Sequence, residues 1–199
     1  MTFARSALAA SLLGLALNAS AGLSEVPAGA YGLDKTHGYI TFSYDHLGFS
    51  NPHVGFRSFE VDLNLDNENV GNSTVNVTID ATSVDSRVEN FNGHLNGGNF
   101  FDTENHPTIT FNSTGVEVTG ENTLAVTGDL TIKGTTKSVT LDAKVNKAAD
   151  HPMRKVPTIG ISAETKVLRS EFGMTRGLPN VGDEVTIYID VELPQKKDQ

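Results

Sequence analysis

The chain has 199 residues, a formal net charge of −9, and neither cysteine nor tryptophan. Without cysteine there is no thiol nucleophile and no disulfide scaffold, so an ordinary apolar core must hold the fold. The acidic balance argues against nucleic acid and anionic membrane surfaces as partners, since both select basic patches.

The N-terminal stretch MTFARSALAASLLGLALNASA places one cation, Arg5, ahead of an apolar run from Ala7 to Leu17. Ala19-Ser20-Ala21 then has the small-x-small form of a cleavage site. Residues 1–21 read as a signal peptide, leaving residues 22–199 as one exported domain. The apolar run is shorter than the roughly 20 residues a helix needs to cross a bilayer, and no later segment approaches that length. The mature chain is therefore expected to carry no integral membrane segment and to reside in the periplasm.

Beyond the leader, nearly every segment alternates with period two, the pattern of strands with one dry face. Ile40, Phe42 and Tyr44 open the series, followed by Val61, Leu63 and Leu65, then Val75, Val77, Ile79 and Ala81. Ile109 and Phe111 come next, then a run from Leu124 to Ile132 and another from Val139 to Val145. Segments from Ile159 to Val167 and from Val185 to Val191 close it. Short links such as Asp66-Asn67, Gly134 and Gly182-Asp183 imply antiparallel neighbours in a meander. Only Arg87–Leu95 differs: Val88, Phe91 and Leu95 fall at helical spacing, and Gly97-Gly98 ends the helix. The fold class is thus all-β, an antiparallel barrel of about eight strands with one short helix, whose interior is either filled or holds one small ligand.

The stretch FNGHLNGGNFFDTENHPTITF, residues 91–111, concentrates the chain's chemistry. His94, Asp102, Glu104 and His106 could form a reaction centre, and His94, Asp102 and His106 could converge on a metal. Their spacing is loose, however, and spread over a helix end, a loop and a strand start. The simpler reading has the helix ending at Gly97-Gly98 and a loop folding Phe100-Phe101 over an apolar interior. No G-x-S-x-G elbow and no H-E-x-x-H helix occurs anywhere in the chain, so the chain is not expected to be an enzyme.

Three stretches together are similar to the YceI-like family of exported polyisoprenoid-binding proteins. LDKTHGYITFSYDHLGFS, from Leu33, carries Asp34, His37, Ile40, Phe42, His46, Leu47 and Gly48 of the family's opening pattern. GHLNGGNFFDTENHPTITF carries His94-Leu95, Phe100-Phe101-Asp102, Pro107 and Phe111. VTGDLTIKGTTKSVTLDAKV, LRSEFGM at Leu168–Met174 and VGDEVTIYIDVEL at Val181–Leu193 complete the match. The chain departs from the pattern at Phe91-Asn92, where the family carries an Arg-Asp pair. The resemblance implies a lipocalin-like barrel that binds a long isoprenoid, a quinone-like lipid or a similar amphiphile, with no cofactor.

The ligand contacts expected on this reading are Phe42, Tyr44, Phe56, Phe100, Phe101, Phe111 and Phe172 for the tail, with His46, His94 and Arg169 as polar partners. A head group needing only His, Tyr or Asn donors, such as a quinone or an alcohol, suits so acidic a chain better than a pyrophosphate. The partner that the resemblance implies is a long-chain lipid, and a homodimer is compatible with the sequence. The rival reading is a stress-responsive or metal-handling periplasmic protein with a solid barrel core and no lipid.

Overall fold

The computed structural model describes residues 22–197. The signal-peptide reading, on residues 1–21, lies outside them. In chain order the strands are β1 (Gly29–Gly32), β2 (Gly38–His46), β3 (His53–Phe56), β4 (Phe59–Leu65), β5 (Thr74–Asp80) and β6 (Val84–Asp85). Helix α1 (Glu89–Asn96) follows, then β7 (Thr108–Gly120), β8 (Thr123–Ile132), β9 (Thr135–Asp150), β10 (Pro157–Leu168) and β11 (Val181–Pro194). They form one sheet in the order β1-β4-β5-β7-β8-β9-β10-β11-β2-β3-β6, antiparallel at every step.

The all-β antiparallel architecture with one short helix is as expected, but the strand count is not. Among the described residues there are eleven strands, not about eight, and they curl into a half-barrel with β1 and β6 at its edges. The three extra strands, β1, β3 and β6, span only two to four residues each, too few for alternation to register as a pattern. A bridge between Tyr31 and Gln195 brings the β1 edge back against the end of β11. The meander holds from β7 to β11, after which β2 returns beside β11 with Phe42 opposite Ile187.

Alternation sets which side chains face inward. Phe59, Val61, Leu63 and Leu65 of β4 are buried while Glu60, Asp62 and Asn64 between them are exposed. The same rhythm buries Leu124, Val126, Gly128, Leu130 and Ile132 of β8. Gly128 lies under the ring of Phe111, where any side chain would collide with that ring. Glycine here permits a close approach of an aromatic to a strand backbone.

Helix α1 has eight residues, too few to be stable alone in water. It is held by burial of Leu95 and by Asn92, whose Oδ1 accepts from the Ser86 amide and hydroxyl, both at 2.7 Å. Val88, expected on its inner face, is instead the N-cap residue and exposed. After Gly97 the chain folds back, with the Phe101 amide donating to the Leu95 carbonyl at 3.0 Å. The Phe101 ring then packs edge-on against Phe42 at 5.8 Å and Phe56 at 5.4 Å. Phe42 and Phe56 are themselves 5.9 Å apart. This aromatic triad pins the loop over the concave face of the sheet; such pairs add about 0.5–1.5 kcal/mol each beyond the area they bury.

Candidate functional site

A cavity of about 340 Å³ lies between the concave face of the sheet, α1 and the loop carrying Phe100-Phe101. Val139 and Leu141 of β9 and Ile187 and Ile189 of β11 face into it, and all four are only partly buried despite lying on central strands. A side chain pointing inward stays uncovered only where nothing opposes it. The interior is therefore hollow, and the solid core of the rival reading is not what these residues build.

The lining residues open to solvent are His46, at the end of β2, and Arg176 and Gly177, in the loop between β10 and β11. They mark the mouth. Tyr44, His46, Arg169 and Arg176 supply polarity at this end, while the remaining polar lining is Thr41 and Thr165. Thr165 is already engaged, its hydroxyl donating to the Thr140 carbonyl at 2.8 Å.

Arg169 begins the 3-10 turn Arg169–Phe172 and is 6% exposed. Its Nε donates to the Gly182 carbonyl at 2.8 Å and its Nη2 to that of Val181 at 3.0 Å. Its Nη1 donates to the carbonyls of Met174 at 2.6 Å and Arg176 at 3.0 Å. A guanidinium has five N–H donors, so among the described residues one, on Nη2, remains uncommitted. Arg169 thus ties together both ends of the mouth loop, a structural role beyond the ligand contact expected for it. Burial lowers its pKa, opposed by the nearby Asp183 carboxylate, and it stays a cation. Desolvation raises the Tyr44 pKa, opposed by the adjacent Arg169 charge, so its hydroxyl remains protonated.

Of the ten residues expected at a ligand site, Phe42, Tyr44, His46, Phe56, Phe100, Phe101, Phe111 and Arg169 line the cavity. Phe172 and His94 do not. Phe172 is fully buried within its turn, having no strand periodicity to aim it. His94 is exposed on α1, with its ring 6.4 Å from that of Phe91. Phe91, at the position where the resemblance leads one to expect an arginine, lines the cavity and makes this wall more apolar. Leu130, Ile132, Val139, Leu141, Ile187 and Ile189 were readable as inward-facing from parity, but nothing local distinguishes a residue facing a void from one facing a neighbour.

The residues of the 91–111 cluster do not converge. The Asp102 carboxylate accepts from Asn105 Nδ2 at 3.1 Å and 3.2 Å, and the His106 ring lies against Gly134. Among the described residues, one His/Asp/Glu group brings its ligand-type atoms together: Asp34, His37 and Glu192. Arg154 already supplies a cation there, with Nη1 2.7 Å from Asp34 and Nη2 3.6 Å from Glu192. Burial raises the pKa of Asp34, but hydrogen bonds from Thr36, His37 and Arg154 outweigh it and hold the carboxyl well below the usual range. This cluster clamps the barrel end remote from the mouth.

Residues 31–193 match the family model of the YceI-like domain. The chain is 38% identical over 192 residues to protein YceI of Escherichia coli O17:K52:H18, covering 94% of this chain and 98% of that protein. Among solved structures it is similar to BcnA of Burkholderia cenocepacia, with a TM-score of 0.73 and 24% identity over 80% of this chain and 98% of that one. It is also similar to a polyisoprenoid-binding domain from Saccharophagus degradans, with a TM-score of 0.65 and 13% identity over 85% of this chain and all of that one.

Proposed function

Since this chain belongs to the YceI-like family, we propose that it is a periplasmic binding protein that sequesters or carries a long-chain isoprenoid or similar amphiphilic lipid in its apolar cavity. The observation that carries this reading is the set of inward-facing aliphatic side chains, Val139, Leu141, Ile187 and Ile189, left half-covered around about 340 Å³ of space. A similar fold is described as a polyisoprenoid-binding domain in Saccharophagus degradans, which supports the ligand class.

At about 30 Å³ per group, the share of a water molecule in the liquid, the cavity holds about eleven methylene-sized groups. Burying those at about 0.8 kcal/mol each contributes about 9 kcal/mol before the cost of association, which is about 4–15 kcal/mol. A longer tail therefore has to displace the Phe100-Phe101 loop or extend through the mouth. The uncommitted Nη2 proton of Arg169 and the Tyr44 hydroxyl suit one neutral acceptor, such as a quinone carbonyl or an alcohol, lying between them. The role is binding rather than catalysis, with no cofactor.

Mass spectrometry of an organic extract of the purified protein tests this. One isoprenoid or related lipid per chain is expected. Recovery of no lipid, together with no uptake on incubation with quinones or polyprenols, would refute it.

A further inference from the structure

We infer that the tip of the β2–β3 hairpin, Leu47-Gly48-Phe49, is a membrane-docking element that seats the cavity mouth on a zwitterionic bilayer. The inference rests on the lipid-binding reading for its purpose but not for its test. It starts from the turn itself. Leu47 and Gly48 are both left-handed, with φ of 61° and 72°. Tight turns of this kind favour Asn or Gly at such positions, because a Cβ there is strained. A leucine in this conformation, with a phenylalanine two residues on, gives up local stability for little burial in return, since Leu47 is 46% exposed and Phe49 87%.

The turn is nonetheless well made. The Asp45 carboxylate accepts from the Gly48 amide at 3.0 Å, the Phe49 amide donates to the His46 carbonyl at 3.0 Å, and the His46 amide donates to Ser50 at 2.8 Å. The backbone of the turn is thus fixed, with Phe49 projecting into solvent and Leu47 half-exposed beside it. A local rule broken with no structural return marks a functional position.

Position identifies the occupant. The turn continues directly from Tyr44 and His46, which line the cavity, and His46 pairs across the sheet with Val181. The Val181 amide in turn donates to the Gly177 carbonyl at 2.9 Å. Arg176, beside Gly177, is exposed and has no ion pair among the described residues. An apolar tip and a free cation therefore border the same opening. Two side chains are far too little for a stable protein interface, which buries on the order of 1,000 Å² or more. Shallow insertion at the boundary between head groups and acyl chains requires no such area or shape match, and Arg176 can meet a lipid phosphate there. The overall charge of −9 disfavours strongly anionic membranes, which selects a zwitterionic surface. Docked in this way, the mouth faces the layer from which an apolar tail can enter without crossing water.

The test is flotation of the full mature protein with phosphatidylcholine vesicles, comparing wild type with a Leu47→Asn, Phe49→Ser variant. Asn accepts the left-handed conformation better than Leu, so this variant should melt no lower than wild type. Uptake of a quinone added from ethanol, which bypasses the membrane, should also be unchanged. Vesicle-bound protein is expected to fall tenfold or more, with slower quinone extraction from the vesicles. Equal flotation of the two proteins would overturn the inference, as would dimerisation through the tip in sedimentation experiments with no flotation of wild type. Failure of quinone uptake from ethanol by both proteins would instead count against the lipid-binding reading, whatever flotation shows.

Discussion

Replacing Leu141 by Trp distinguishes a hollow barrel from a packed one. Leu141 faces the cavity from β9 and is only partly covered. The substitution adds about six heavy atoms, which in a close-packed interior costs about 1–3 kcal/mol through strain. Here they enter open space, so thermal stability should hold or rise. The cost falls on the ligand instead. Of about eleven methylene-sized places, set by about 30 Å³ for each, about six are filled. At about 0.8 kcal/mol per group this removes about 5 kcal/mol of tail burial, a loss of three to four decades in affinity. Co-purified lipid per chain, measured by mass spectrometry, and titration with a fluorescent prenyl analogue give the binding arm, and a melting curve gives the other. Leu63→Trp serves as the control, since Leu63 is buried outside the cavity and should show the ordinary overpacking penalty. A Leu141→Trp protein that melts much lower while retaining its lipid would refute the hollow-barrel reasoning.

Two further outcomes follow from the polar clusters. Arg169→Met leaves four carbonyls of the mouth loop without their charged donor; since each acceptor left buried and unpaired costs about 1–3 kcal/mol, a loss of about 3 kcal/mol or more is expected, read by urea denaturation, with new proteolytic cleavage between residues 173 and 182. At the opposite end, hydrogen bonds and Arg154 hold the folded pKa of Asp34 below its unfolded value, so its stabilisation is fully present above about pH 4 and fades as pH falls toward the folded value. Acid titrations of wild type and Asp34→Asn should therefore differ in stability at neutral pH and converge at the acid end; parallel curves would contradict the assignment.

How much was readable beforehand depended on the range of the interactions involved. The eight long strands were legible because burial on one face of a sheet forces period two, and Phe42 and Phe111 could be aimed inward by parity. The helix was legible because Phe91, Leu95 and the Gly97-Gly98 stop lie within one short segment. By contrast β1, β3 and β6 owe their existence to the neighbours they pair with, Leu63, Thr41 and Gly55 among them. No pattern of two to four residues could announce them.

The same division runs through the site. The inward alternation of apolar residues and the acidic, cysteine-free surface belong to the sequence itself, since each depends on residue type and spacing along the chain. Whether the inward faces meet across the barrel is a different quantity: the small difference between the space the curled sheet encloses and the volume its side chains fill. That difference depends on sheet curvature, on the Phe42–Phe56–Phe101 triad and on a guanidinium spent on four distant carbonyls. Only the tertiary structure decides it, and it decides for a cavity.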